Sequence, residues 1–296
     1  MQGVEHYENF PVASWWCPPR YRAPIAAIYH YARTADDLAD EGDAPAAQRL
    51  ADLAEYRADV LQAVCGGAAR PSCRWPQVMA PLARQVAEHR LPLAPLLDLL
   101  DAFEQDVRHT ADGIRYPDLT ALLDYCRRSA NPVGRLLLHL YRVDSPDALR
   151  QSDAICSALQ LVNFWQDLSV DLPRGRHYLP LDALRRHGVA ATDLRPGRPA
   201  PHAAAMVREL VQHARALMQQ GAPLALRLPG RAGWELRLVV QGGLRVLDRI
   251  EAQGCRTWEH RPTLRTRDAL PLLWRALWMR PGPGPTPAPT GPTESR

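Results

Sequence analysis

Apolar residues recur at helical spacing along nearly the whole chain, and the period-two alternation of a half-buried strand is scarce. That pattern predicts helices over 20–41, 45–65, 75–90, 92–110, 117–142, 146–170, 201–221, 230–253 and 265–279. Pro45, Pro71, Pro92, Pro117, Pro146, the 195–201 stretch RPGRPAP and Pro262 punctuate these segments, since proline ends or starts a helix more readily than it continues one. The connections are short, which favours one bundle over separate modules. The expectation is an all-α chain with a single domain over 1–280. The remaining stretch, PGPGPTPAPTGPTESR over 281–296, has too little apolar surface to offset the entropy of ordering and reads as a disordered tail.

Composition sets further bounds. A chain of 296 residues that is 46% hydrophobic can bury a large core. A net charge of +4 gives nucleic-acid binding little electrostatic support. There is no lysine, so any anion site must use arginine forks, which suit bidentate contacts to phosphate. Cys17, Cys65, Cys73, Cys126, Cys156 and Cys255 show no CxxC and read as reduced, mostly buried thiols of a cytoplasmic protein. The N-terminal MQGVEHYENFPVASWWCPP has no basic region followed by an apolar run, so it does not read as a signal peptide. No stretch is long and apolar enough to span a bilayer. In the last predicted helix, Leu270, Leu273, Trp274, Leu277 and Trp278 share one face, with Arg275 and Arg280 nearby. That face suits either a final core helix or a peripheral contact with the inner face of the membrane.

Two acidic clusters carry the chemistry. In AIYHYARTADDLADEGD, Asp36 and Asp40 stand four apart, one turn of helix, so their carboxylates share a face. Alone, this also describes a solvated helix end. In LQLVNFWQDLSVD, however, Gln160, Asn163, Asp167 and Asp171 form a polar stripe between Leu161, Phe164, Trp165 and Leu168. Unpaired buried amides and carboxylates are costly, so the stripe must face solvent or a polar cavity, and the flanking aromatics favour the cavity. Oxygen donors without His or Cys select a hard cation such as Mg²⁺, which takes few carboxylates plus water and phosphate oxygens. Arg33 lies one turn before Asp36, and Arg174 and Arg176 follow Asp171. Guanidinium groups beside two acidic pairs fit a site that holds a diphosphate and neutralises the charge of a departing group. A non-catalytic helical scaffold with solvated aspartates is the rival from another class. A His-based metal site has little support, since the ten histidines include no HExxH.

These segments, together with YPDLTALLDYCRRSANPVG and the continuation DLPRGRHYLP, resemble the squalene/phytoene synthase family from about Tyr7 to Ile250. The resemblance implies an isoprenoid synthase-type helical bundle with a central cavity. It also implies Mg²⁺ on Asp36, Asp40, Asp167 and Asp171. Tyr29, Arg33, Gln160 and Asn163 match positions lining the diphosphate pocket, and Tyr125 matches a central-cavity tyrosine. Two positions depart from the family pattern. Gln166 stands where many members place Arg, and Asn131-Pro132 replaces small apolar residues. With the ENFPVAS stretch, these departures resemble the hydroxysqualene synthase branch of bacterial hopanoid pathways. Members of that branch ionise presqualene diphosphate, received from a presqualene diphosphate synthase, and quench the cation with water. Gln166 would then leave the site less positive than in condensing squalene, presqualene diphosphate or phytoene synthases, and Asn131 would hold the quenching water.

Overall fold

The computed structural model describes residues 18–66, 74–198, 200–265 and 268–280. The N-terminal aromatics Tyr7, Phe10, Trp15 and Trp16, and the tail from Pro281, lie outside them. Among the described residues there is no strand. Thirteen α-helices follow in order: α1 (Pro19–Asp40), α2 (Ala46–Cys65), α3 (Pro76–His89), α4 (Leu93–Asp112), α5 (Leu119–Ser129), α6 (Asn131–Leu140), α7 (Pro146–Gln166), α8 (Leu168–Asp171), α9 (Leu181–Arg186), α10 (Pro201–Gly221), α11 (Pro223–Arg227), α12 (Gly230–Ala252) and α13 (Ala269–Leu277).

Local chemistry explains most boundaries. Proline occupies the first turn of α1, α3, α6, α7, α10 and α11, where its missing N–H would have no helical partner. Asp118 and Ser145 cap α5 and α7 by accepting from the backbone N–H groups of Ala121 and Ala148. Gly66 and Gly113 close α2 and α4 in the left-handed conformation that glycine adopts most cheaply.

The helices share one apolar interior in three parts. The α1–α4 half buries Tyr31, Leu53, Tyr56, Leu82 and Leu100. The other half gathers around α7, α10 and α12, with Trp165, Val207, Val211, Leu247 and Trp258 buried among them. A third patch, including Ile155, Met218 and Leu224, fills the end near α11. The close approach of α6 to α7 depends on Gly134. A methyl there would lie 2.4 Å from Ser152 Oγ and 2.6 Å from Cys156 Sγ, so a side chain could enter only if those two groups shifted.

Two expected helices are broken. The 117–142 segment divides at Ala130 (φ −122°, ψ −48°). Pro132 has no N–H to continue the ladder and stands instead in the first turn of α6. The 146–170 segment stops at Gln166 because the N–H of Ser169 leaves the helical ladder for the carbonyl of Thr257, 3.2 Å away. At the C-terminal end, Leu270, Trp274, Leu277 and Trp278 are 78%, 65%, 58% and 59% exposed, so α13 does not bury its apolar face as a core helix would. Among the described cysteines, Cys126 and Cys255 are buried, Cys156 is half-buried and Cys65 is exposed, and all four are free thiols.

Candidate active site

The two acidic motifs meet across one arginine. α1 carries Asp36 and Asp40, while Asp167 stands at the end of α7 and Asp171 at the end of α8. Although the helix breaks between them, Asp167 N–H still donates to Asn163 at 2.9 Å and Asp171 N–H to Asp167 at 2.8 Å, so the stripe keeps its register. Arg176, just past α8, places Nη2 2.6 Å from Asp40 and Nη1 3.9 Å from Asp171. Arg33 sits on α1 with its guanidinium 2.8 Å from Asp36 and 2.5 Å from Asp37. Gly175 supplies the left-handed turn (φ +76°) between the 3₁₀ turn Leu172–Arg174 and Arg176.

Burial and mutual repulsion make negative charge costly in this cleft. Burial pushes the Asp36 carboxyl up to about 6, with Asp40 adding to the rise. Asp171 is pushed up to about 7, by burial and then by Asp167. Arg33, Arg174 and Arg176 offset this rise only in part, and a bound divalent cation would lower these carboxyls further. Among the described residues no three Asp, Glu, His or Cys side chains converge on a ready-made metal cage. The oxygen-only donors of the two motifs fit a hard cation that keeps part of its water shell.

Beneath the carboxylates lies an aromatic wall. Phe164 and Tyr178 stack at 3.9 Å, Tyr125 lies 6.2 Å from each, and Tyr116 lies 5.6 Å from Tyr125. The Tyr125 hydroxyl donates to Asp106 on α4 at 2.5 Å. Burial pushes the Asp106 carboxyl up to about 7; Tyr125 and Arg176 oppose the rise, and Asp40 and Asp36 reinforce it. Nothing separates Asp106 in sequence from the other acidic residues of α4. Asp106 and Arg115 read in the sequence as a pair of helix-end charges, but no ion pair joins them among the described residues.

The structure brings together Arg33, Asp36, Asp40, Tyr125, Asp167, Asp171, Arg174 and Arg176, with Arg174 close enough to Asp171 to lower its carboxyl. Tyr29 and Gln160 are half-buried on α1 and α7, and Asn163 is exposed on the stripe. Two expectations need correction. Gln166 does not look into the cleft: its side chain is 0% exposed and its Nε2 donates to the Pro262 carbonyl at 2.6 Å. Asn131 is buried between α6 and α7, where its amide oxygen accepts from Ser157 Oγ at 2.9 Å, so that oxygen is committed to helix pairing. Sequence reasoning also missed Arg261. Its guanidinium grips both oxygens of Asp167, with Nη2 at 3.2 Å from Oδ2. The charge absent from position 166 is therefore supplied from the segment after α12.

The family model described as squalene/phytoene synthase matches residues 4–268. The chain belongs to the squalene/phytoene synthase family. Among its relatives in that family, the hydroxysqualene synthase of Rhodopseudomonas palustris is 36% identical over 78% of this chain and 75% of its own length. The presqualene diphosphate synthase of the same organism is 34% identical over 66% of each chain. The crystal structure of squalene synthase HpnC from Alicyclobacillus acidocaldarius superposes with a TM-score of 0.74 at 34% identity, covering 84% of this chain and 90% of that one. The squalene/phytoene synthase fold accounts for the facing acidic motifs, which α1 and the α7–α8 junction present to one another. No helix among the described residues is long and apolar enough to cross a membrane.

Proposed function

We propose that the cleft ionises presqualene diphosphate with loss of pyrophosphate, and that water captures the rearranged cation to give hydroxysqualene. The observation that carries this reading is Arg176, whose guanidinium spans Asp40 and Asp171 directly beside the aromatic wall. A diphosphate bound between the motifs would have its departing charge met by guanidinium groups while its hydrocarbon lay against Phe164, Tyr125 and Tyr178. Asp36, Asp40, Asp167 and Asp171 would hold Mg²⁺, which when bound supplies Lewis-acid charge to the leaving group. Arg33, Arg174 and Arg176 would bind and orient the diphosphate, with Tyr29, Gln160 and Asn163 beside it. The aromatic faces would shelter the cation from bulk water and stabilise its charge.

Water capture rather than condensation is favoured by the longer and closer match to a hydroxysqualene synthase. The charge argument from Gln166 lends no support, because Arg261 restores a guanidinium at Asp167. Presqualene diphosphate would arrive from a presqualene diphosphate synthase, and the exposed face of α13 would rest on the membrane that holds the product. Purified protein tests the reading in one assay. Presqualene diphosphate should give hydroxysqualene with Mg²⁺ and no reductant, and farnesyl diphosphate should not. Comparable formation of presqualene diphosphate or squalene from farnesyl diphosphate would move the chain to the condensing branch.

A further inference from the structure

Asp106 differs from every other carboxylate in the cleft. Asp36 and Asp37 pair with Arg33, Asp40 and Asp171 with Arg176, and Asp167 with Arg261. Each of those groups faces a guanidinium across an ion pair. Asp106 has no arginine within ion-pair distance among the described residues. Its partner is a neutral phenol, the buried Tyr125 hydroxyl at 2.5 Å. Together with Tyr116, Arg176 and Tyr178, Asp106 lines a small cleft between α4 and the 175–178 loop. The Tyr125 ring belongs to the wall formed with Phe164 and Tyr178, against which a carbocation would lie.

We infer that Asp106, acting through the Tyr125 hydroxyl, accepts the proton released when water adds to the cation, so that the pair terminates the reaction as alcohol. This rests on the water-capture reading above. The water oxygen bonds to the cationic carbon as one of its O–H bonds breaks. That proton passes to the Tyr125 oxygen, and the Tyr125 proton crosses to Asp106. Cation plus water plus carboxylate become neutral alcohol plus neutral carboxylic acid, and Asp106 returns the proton to solvent before the next turnover. A carboxyl that burial holds at about 7 is a far better base than an ordinary surface aspartate. Tyr125 alone cannot serve, because burial and then Asp106 raise its hydroxyl further above its usual range. In this scheme Tyr125 is the catalytic residue and Asp106 the positioning residue that drains it.

The experiment uses the full chain with presqualene diphosphate in H₂¹⁸O, following pyrophosphate release and product composition together. Wild type should give ¹⁸O-labelled alcohol; failure here overturns the water-capture reading whatever the variants do. Given labelled alcohol, Asp106→Asn should lower alcohol formation by about a hundredfold more than it lowers pyrophosphate release, with hydrocarbon making up the difference. Tyr125→Phe, which removes only a hydroxyl, should shift the products the same way and carries the test if Asp106→Asn fails to fold. Asp106→Glu, which keeps the carboxyl, should regain most of the alcohol. Equal losses of alcohol and pyrophosphate, or an unchanged alcohol fraction in Asp106→Asn and Tyr125→Phe, would overturn the assignment.

Discussion

Arg261 and Asp167 lie 94 positions apart in sequence, yet a two-point ion pair joins them at the mouth of the cleft. The second acidic motif is thus completed by a segment that shows no motif of its own. Removing that guanidinium should weaken turnover without unfolding the bundle, since the pair is only partly buried. Arg261→Gln is expected to lower kcat on the prenyl diphosphate by about tenfold or more, on the order of one hydrogen bond to a charged group. Undiminished kcat would show that Asp167 works without it. The complementary change, Gln166→Arg, should cost several kcal/mol, because it buries a cation where a Pro262 carbonyl now accepts from an amide. A melting temperature equal to wild type would contradict that placement.

The aspartates of the two motifs should be needed for chemistry and not for folding. Each of Asp36→Asn, Asp40→Asn, Asp167→Asn and Asp171→Asn is expected to cut turnover by at least about 10²-fold, as for one preorganised electrostatic contact. EDTA should abolish activity and Mg²⁺ should restore it. Full activity in EDTA would end the metal proposal.

The same carboxylates set a pH dependence for the metal-free protein. Asp36, Asp106 and Asp171 titrate at about 6, 7 and 7 in the fold, well above an unfolded aspartate. The folded state therefore binds more protons than the unfolded chain between those values, and its stability falls as pH rises through them. Without metal, the melting temperature should drop from about pH 4 toward pH 7, and Mg²⁺ with pyrophosphate should recover the loss at pH 7. A melting temperature that climbs over that range would show that the three groups are not crowded as described.

Trp274 and Trp278, with centroids 5.7 Å apart on the outer face of α13, give the membrane proposal a handle. The double change Trp274→Asp/Trp278→Asp should reduce sedimentation with phosphatidylglycerol vesicles by about tenfold or more while leaving the melting temperature near wild type, since both rings are exposed. Equal sedimentation of the variant would remove α13 from the contact.

Much of this was legible locally. The i,i+4 spacing of Asp36 and Asp40 depends only on helix geometry, and so does the register of Gln160, Asn163 and Asp167. Pro132 carries a local signal for the break that divides α5 from α6, which the continuous 117–142 helix overlooks. What failed was inference by adjacency. Gln166 precedes Asp167, but neighbouring helical positions point about 100° apart, so one looks into the cleft and the other into the segment after α12. The break at Asp167 was invisible for another reason: its cause, the Thr257 carbonyl, lies far along the chain. Asp106 is not legible from α4 alone, because its meaning comes from the Tyr125 hydroxyl and from burial.

The ion pair at Asp167 also gives the molecule an order of assembly. A ribosome that has released the first 240 residues has made both acidic motifs and the whole aromatic wall. It has not yet made the arginine for Asp167, nor the Pro262 carbonyl that seats Gln166. A nascent or prematurely terminated chain would carry a cleft able to attract metal and diphosphate but short of a countercharge. Competence to ionise substrate would then wait for the segment after α12, which also carries the last core residues, among them Trp258.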